Sequence, residues 1–188
     1  MRKLKLQVQI SVDGFIAGPN GEMDWMTWDS TEDFIEYVIN LTDASDTILL
    51  GRKMTEGFIP YWTDITANPE DPQYSFARKM VDTPKVVFSK TLDQSEWDNT
   101  DLAKGDLVTE VNKIKNRDGK DIIVYGGAGF VSSLIKAKLI DEYHLFVNPC
   151  IIGKGMAIFN TIEGNQKLTL IKTTPLKNGI VILYYKPA

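Results

Sequence analysis

Residues 121–135 have the residue types and spacing that bind a phosphate group. The first part, residues 122–125, is β-branched or aromatic and predicts a strand buried on both faces. Three glycines follow at positions 126, 127 and 129, and apolar residues then recur at helical spacing up to Ile135. Glycines at the partly positive start of a helix let an anion approach the backbone N–H groups. The stretch therefore predicts either a phosphate site or a tight turn that binds nothing.

A second junction of the same type adds positive charge. Gly51 follows an apolar strand and precedes Arg52 and Lys53, which open the next predicted helix. Ser89 and Lys90 end a third predicted strand. Two helix starts and three cations make a local field suited to a dinucleotide phosphate. Solvated surface charge is the alternative interpretation of the three cations.

Length, charge and cysteine content exclude several classes of protein. A chain of 188 residues suits one domain, residues 1–188, and its net charge of −4 argues against nucleic acid as the main partner. The single cysteine, Cys150, allows no internal disulfide and suits a reducing compartment. The sequence has no apolar run of membrane-spanning length. We therefore expect a cytoplasmic protein that binds neither nucleic acid nor a membrane.

Strands and helices alternate along the chain and must position these residues. Residues 4–10 predict a first strand with one apolar face. Apolar residues at helical spacing from Phe34 then predict a helix that ends at about Leu41. Residues 58–72 contain three prolines and predict an irregular connection. A hairpin around Asn178-Gly179 closes the chain. This order predicts an α/β fold, with helices on both faces of a mostly parallel sheet that has an antiparallel edge.

Six segments in this order resemble the dihydrofolate reductase superfamily, and most closely the reductase domain of the bifunctional riboflavin-biosynthesis deaminase/reductase. They are residues 11–17, 48–56, 86–90, 123–129, 139–143 and the closing hairpin. The resemblance spans nearly the whole chain. It implies a dihydrofolate reductase-like three-layer α/β fold, with a mostly parallel central sheet and a C-terminal antiparallel hairpin. It also implies NADPH as the cofactor.

The resemblance implies cofactor contacts in four segments. Gly51, Arg52 and Lys53 would meet the adenosine end of NADPH, with Ser89 and Lys90 beside them. A cation near the 2′-phosphate would favour NADPH over NADH. The pyrophosphate would lie against Gly126, Gly127, Ala128, Gly129, Phe130 and Val131, and the nicotinamide would be flanked by Ile16 and Ala17.

The substrate side of the resemblance depends on acids and one aromatic residue. Asp13 and Asp33 are implied as catalytic acids, which could bind an aminopyrimidine edge or relay a proton. Glu36 lies one turn after Asp33 and could be the substrate-binding acid instead, while Trp25 matches a tryptophan near the folate pocket. Asp33 is equally consistent with a helix-capping role that pairs it with Ser30. The chain departs from the family pattern in having no clear basic set for a ribose phosphate.

The leading hypothesis is an NADPH-dependent reductase of a small heterocycle, with 5-amino-6-(5-phosphoribosylamino)uracil as the first candidate substrate. Dihydrofolate reduction and a non-catalytic dinucleotide-binding module are the alternatives. A zinc deaminase is excluded, and no metal site is expected, because His144 and Cys150 are the only residues of their types. His144 is interpreted as a packed or surface side chain. Residues 143–152 and 180–185 are apolar enough to predict a homodimer.

Overall fold

The computed structural model of the protein describes residues 1–95 and 97–188. Its strands are β1 (Leu4–Ser11), β2 (Phe15–Ala17), β3 (Ser45–Gly51), β4 (Lys85–Phe88), β5 (Thr100–Ala103), β6 (Asp121–Val124), β7 (Glu142–Asn148), β8 (Met156–Ala157), β9 (Leu168–Pro175) and β10 (Val181–Pro187). Its helices are α1 (Glu32–Asp43), α2 (Arg52–Ile65), α3 (Tyr74–Asp82), α4 (Leu107–Lys115) and α5 (Ala128–Lys136). Over these two ranges no helix combines the length and apolarity that a membrane crossing needs.

Eight of the strands form one sheet in the order β5-β4-β3-β6-β1-β7-β10-β9. The pairs from β5 to β7 are all parallel, whereas β10 is antiparallel to both β7 and β9. The predicted mostly parallel α/β sheet with a C-terminal antiparallel hairpin is therefore confirmed. The short strands β2 and β8, which the sequence did not predict, pair with each other outside this sheet.

Helices cover both faces of the sheet and produce two main cores. On one face, β1 contributes Leu4, Leu6, Val8 and Ile10, and these pack with apolar residues of α4 and α5. On the other face, apolar residues of β3, β4 and β6 pack against α1, α2 and α3. Burying each large aliphatic side chain contributes roughly 1.5–3 kcal/mol relative to leaving it exposed. This burial fixes the helix starts at the ends of their strands.

The polar face of β1 is also buried, whereas the alternating pattern of the strand suggests that this face is exposed to solvent. Lys5 and Gln7 are both more than nine-tenths buried, opposite Glu142 and His144 of β7. His144 is thus a packed residue: Tyr37 Oη lies 2.8 Å from its Nδ1. Lys5 pairs with Asp121 and the His144 ring stacks on Tyr184, whereas Gln7 Oε1 and His144 Nε2 have no hydrogen-bond partner within residues 1–95 and 97–188.

The prediction of an irregular connection over residues 58–72 is wrong for residues 58–65 and confirmed for residues 66–72. Helix α2 continues through Pro60 to Ile65, and α3 begins at Tyr74. A proline inside a helix removes one backbone hydrogen bond and costs about 3 kcal/mol. Phe58, Ile59 and Trp62 lie against the second core, and their burial offsets this cost.

The predicted capping pair of Ser30 and Asp33 is also wrong. Helix α1 has Thr31 as its N-cap residue, and the Thr31 side chain makes no capping bond to the backbone. Instead, the Thr31 hydroxyl donates to Asp33 Oδ1 at 2.5 Å. The reason is that Asp33 takes part in a longer-range contact, described below.

Candidate functional site

Two helix N-termini meet at the carboxyl edge of the parallel sheet. Gly51 ends β3 and is the N-cap of α2, and Gly127 follows β6 and is the N-cap of α5. Strands β3 and β6 are neighbours, so the two helix starts lie side by side. Neither helix has a side-chain cap or an acidic residue in its first turn. Their first backbone N–H groups therefore present uncompensated positive charge to the same space.

Both N-cap positions require glycine, for different reasons. Gly127 has φ +87°, a conformation that L-residues rarely adopt. At Gly51 an added Cβ would lie only 2.7 Å from the Cβ of Phe130. At Gly129, in the first turn of α5, an added Cβ would meet no atom within 4 Å. Gly129 therefore borders open space that an anion could occupy next to the helix start.

Three cations flank this pair of helix starts. The Arg52 guanidinium lies 3.1 Å from Glu56 on the same helix, and the side chain remains 38% exposed. Lys53 and Lys90 are exposed and form no salt bridge within residues 1–95 and 97–188. Lys90 lies near Asp106, whose pKa is lowered mainly by hydrogen bonds from Thr109 and also by the Lys90 charge. In the register of β3 and β4, Gly51 lies opposite Phe88, so Lys90 belongs to the same edge as Arg52. All three charges are available to an anionic ligand.

The other residues predicted to contact the cofactor differ in burial and in their contacts. Ser89 is buried, and its Oγ accepts hydrogen bonds from the N–H groups of Thr91 and Leu92. The Phe130 ring packs against Phe88 with centroids 4.8 Å apart. Val131 is fully buried in the core, and its N–H donates to the Gly127 carbonyl at 2.9 Å. Because the Val131 side chain is buried in the core, it does not support a direct contact with the cofactor, and that contact stays a prediction.

The other predicted glycine-loop residues are open to the junction to different degrees. Gly126 is buried, with the Met54 side chain next to it, and Ala128 is half-buried at the first position of α5.

The residues predicted to flank the nicotinamide are buried. Ile16 and Ala17 lie in β2, which pairs with β8. Ile16 belongs to the main core. Their contact with the nicotinamide stays a prediction.

Asp13 joins two loops at the carboxyl edge. Its carboxylate accepts hydrogen bonds from Ser11 Oγ at 2.7 Å, from the Gly153 N–H at 2.7 Å and from the Ile152 N–H at 3.2 Å. The bond from Ser11, followed by the backbone bonds, holds the pKa of Asp13 below its usual value. These contacts suit a residue that positions the loops, and its catalytic role stays a prediction.

Asp33 connects α1 to the closing hairpin. Its Oδ1 accepts from Thr31 Oγ1 and its Oδ2 from the Lys177 N–H at 2.9 Å. The bond from Thr31, and then that from Lys177, lower the pKa of Asp33. Glu36 is exposed one turn later. Asp13 and Asp33 contact different loops and share no hydrogen bond in the described ranges.

A buried amide that the sequence analysis missed positions the segment around Trp25. Asn148, at the end of β7, is fully buried and donates to Gln9 Oε1 at 2.7 Å. Its Oδ1 accepts from the Thr27 N–H at 2.9 Å. Trp25 is half-buried, and its indole N–H donates to the Glu22 carbonyl. An asparagine at the end of an apolar strand was the only sequence signal for this network.

The segment that carries the predicted substrate residues is strongly acidic. Residues 6–51 contain no lysine or arginine. Their acids are Asp13, Glu22, Asp24, Asp29, Glu32, Asp33, Glu36, Asp43 and Asp46. The cations Arg52, Lys53 and Lys90 lie on the other side of the glycine junctions. Two of these acids belong to the amino edge, where Asp46 pairs with Arg2 and Asp43 with Lys79, and the other seven lie in a segment without a lysine or arginine of its own.

The family of this chain follows from its sequence as a whole. Residues 2–182 match the family model described as the RibD C-terminal domain. This chain belongs to that family. The resemblance to the RibD reductase domain is thereby confirmed over almost the full length.

Individual RibD-like relatives agree with this assignment. "Uncharacterized protein YyaP" of Bacillus subtilis is 33% identical over 187 residues, covering 98% of this chain and 94% of that protein. The riboflavin biosynthesis protein RibD of Corynebacterium ammoniagenes is 22% identical over 168 residues, covering 84% of this chain and 48% of that protein. The chain thus matches about half of that RibD.

Solved RibD-like structures share the fold. The structure of a putative riboflavin biosynthesis protein from Shewanella sp. PV-4 has a TM-score of 0.73 at 21% identity, covering 100% of this chain and 99% of that one. A diaminohydroxyphosphoribosylaminopyrimidine deaminase/5-amino-6-(5-phosphoribosylamino)uracil reductase from Thermotoga maritima has a TM-score of 0.70 at 16% identity. This chain is covered completely and spans 57% of the Thermotoga chain.

Proposed function

We propose that this protein is an NADPH-dependent reductase, formed by residues 1–188 as one domain, that reduces a C=N or C=O bond of a small heterocycle. The observation that carries the proposal is the meeting of two uncapped helix starts at glycines 51 and 127. Bound NADPH would supply the hydride. The protein would hold the pyrophosphate on the N–H groups of α2 and α5 and fix the position of the substrate.

The cations at this edge support NADPH rather than NADH. Three cations flank the helix starts: Arg52, Lys53 and Lys90. Among the described residues, only Arg52 forms a salt bridge, and its partner is Glu56. A guanidinium or ammonium group that contacts the 2′-phosphate forms a charge-assisted hydrogen bond that NADH cannot make. The proposed cofactor preference therefore depends on these side chains and not on the glycines.

The first substrate to test is 5-amino-6-(5-phosphoribosylamino)uracil, the compound in the name of the Thermotoga reductase. The acidic segment, residues 6–51, supports a second candidate: a related heterocycle that carries no phosphate. Asp46 pairs with Arg2 and Asp43 with Lys79, and the other seven acids of this segment form no salt bridge in the described ranges, so a substrate phosphate placed against them would be repelled. Because the pKa values of Asp13 and Asp33 are lowered, both carboxylates are ionised at neutral pH. They suit accepting hydrogen bonds from substrate amino groups better than donating a proton.

We also propose a homodimer that functions in the cytoplasm. The edge expected at residues 143–152 and 180–185 is wrong, because β7 and β10 lie inside the sheet and are paired on both sides. Strand β9 is the edge instead, and it exposes Leu168 (36%), Leu170 (51%) and Ile171 (47%). An exposed apolar edge strand favours pairing with another chain. Light scattering at micromolar concentration tests this: a single species at the chain mass of 21.2 kDa would contradict it.

Turnover tests the proposed function. The full chain is incubated with NADPH and each candidate heterocycle, with and without the ribose phosphate and with dihydrofolate as a comparison, and loss of NADPH absorbance is followed. We expect oxidation of NADPH that requires both the protein and one of the pyrimidines. Tight NADPH binding without turnover of any compound would instead indicate a dinucleotide-binding module without catalysis.

A further inference from the structure

A cavity lies at the opposite edge of the sheet from the glycine junctions. It has a volume of about 240 Å³ and is enclosed by α2, α3 and the residues just before β5. Lys85 lines it at the first residue of β4, whereas Phe88, opposite Gly51, is the last. Three residues of extended strand separate these points by about 10 Å. The cavity is therefore distinct from the proposed cofactor site.

The walls of this cavity are mostly aromatic. Phe58 and Trp62 of α2 line one side, Met80 of α3 lies next to them, and Trp97 lies opposite. The Phe58 and Trp62 rings pack edge to face with centroids 6.2 Å apart. Flat aromatic walls favour a planar aromatic ligand, which can stack on one ring and meet the edge of another.

One buried cation lines the cavity. Lys85 is only 3% exposed, and its Nζ donates to the carbonyl oxygens of Val81 and Thr83, both at 2.8 Å. A lysine ammonium group has three N–H donors, so one has no acceptor in residues 1–95 and 97–188. Burial lowers the pKa of Lys85 to about 8, partly opposed by Asp82. A buried ammonium group is stabilised by a further acceptor, above all an anionic one.

We propose that this cavity binds a planar aromatic carboxylate about the size of a two-ring heterocycle. A cavity of roughly 150 Å³ holds benzene, so a volume of about 240 Å³ accommodates a second ring. The carboxylate would accept the remaining N–H of Lys85, and the rings would lie among Phe58, Trp62 and Trp97. Asp98, exposed at the rim, disfavours ligands with a second negative charge at the open end. This site does not depend on the proposed reductase function.

The direct test is a titration of the full chain with indole-2-carboxylate and, separately, with indole. Calorimetry gives the two affinities, and NMR follows the indole N–H resonances of Trp62 and Trp97. We expect both resonances to shift and the carboxylate to bind about tenfold more tightly, as one hydrogen bond to a charged group predicts. Saturating NADPH should leave both affinities unchanged. The absence of shifts at both tryptophans, or competition by NADPH, would overturn the proposal.

Two variants separate ligand binding from a purely structural role of Lys85 at the end of α3. Lys85→Met should abolish the roughly tenfold preference for the carboxylate, so that indole-2-carboxylate and indole bind with about equal affinity. Thr63→Phe should fill the cavity from an exposed position without touching Lys85, and should weaken both ligands more than tenfold. Ser75→Phe on α3, exposed and outside the cavity lining, is the control and should change neither affinity. If Lys85→Met does not fold, unchanged binding in Thr63→Phe still contradicts the proposal.

Discussion

The two edges of the parallel sheet use charge in opposite ways. At the amino edge, four cations are paired with acids across the chain: Arg2 with Asp46, Lys3 with Glu142, Lys5 with Asp121, and Lys115 with Asp141. Lys85 at this edge is bonded to backbone carbonyls instead. At the carboxyl edge, Arg52 forms a salt bridge only with Glu56 of its own helix, and Lys53 and Lys90 form no salt bridge in the described ranges. We propose that the first edge uses its charges mainly for stability and that the second keeps them for a ligand.

Burial explains why the amino edge must be paired. Arg2, Lys5 and Lys115 are each more than nine-tenths buried, and an unpaired charge in such a position is strongly destabilising. Burial alone would raise the pKa of Glu142, but the neighbouring His144, Lys3 and Tyr184, of which Lys3 donates a hydrogen bond at 2.9 Å, hold it well below its usual value. The cations at the carboxyl edge are exposed, so leaving them unpaired changes the stability of the fold little.

The largest effect is expected from breaking a buried pair at the amino edge. Asp46→Ala leaves the Arg2 guanidinium buried without its acid and should lower the free energy of unfolding by about 3 kcal/mol. Asp43→Ala is the matched control, because Asp43 pairs with Lys79 at the surface, and should cost less than about 1 kcal/mol. Denaturant unfolding measures both. Equal stability of the two variants would contradict the contrast between the edges.

The next effect concerns the helix start at the carboxyl edge. Gly129→Asp places a carboxylate where nothing lies within 4 Å of the added Cβ, and so should not disturb packing. It should weaken NADPH binding by at least about tenfold through repulsion of the pyrophosphate, with stability within about 0.5 kcal/mol of the native chain. Ser133→Asp, one turn further along α5, should change binding much less. Similar losses in both variants would indicate that the pyrophosphate binds elsewhere.

A smaller and more selective effect is expected at Arg52. Arg52→Gln should weaken NADPH binding about fivefold to tenfold and leave NADH unchanged, because only NADPH carries the 2′-phosphate. Lys113→Gln on α4, which removes an exposed cation paired with Glu110, serves as the control. Calorimetric titration of each variant with both cofactors gives the comparison. A parallel loss for NADH would show that Arg52 contacts a part that the two cofactors share.

The smallest effect is a pH dependence at Asp33. Because its pKa is lowered in the folded state, its hydrogen bonds stabilise the fold fully above the unfolded pKa of about 3.9. That stabilisation is lost as the pH falls through the folded pKa. Asp33→Asn should therefore be less stable than the native chain at pH 7, and the difference should shrink below about pH 4. A difference that stays constant from pH 7 to acid would show that ionisation of Asp33 does not matter.

The local parts of this account could be predicted from the sequence. The strand, glycines and helix of residues 121–135 are contiguous, so their pattern alone indicates the junction. The hairpin around Asn178-Gly179 is local for the same reason, although its turn lies between Pro175 and Val181. Local backbone preference and burial agree at these places.

The parts that depend on distant contacts could not be predicted. Pro60 reads as a helix breaker, and only the packing of α2 on the second core shows why the helix continues. The partners of Asp13 and Asp33 lie 140 and 144 residues away, so no local pattern separates a loop-positioning acid from a catalytic one. The same holds for Asn148 and Gln9, which are 139 residues apart.

Calorimetric titration of the native chain with NADPH and NADH tests the central claim most directly. If the uncapped helix starts and the unpaired cations of the carboxyl edge form a dinucleotide site, NADPH binds in a one-to-one ratio and at least about tenfold more tightly than NADH. Asp46→Ala, still folded, should retain that ratio. Equal affinity for the two cofactors, or no binding of either, would contradict the assignment of the carboxyl edge as an NADPH site.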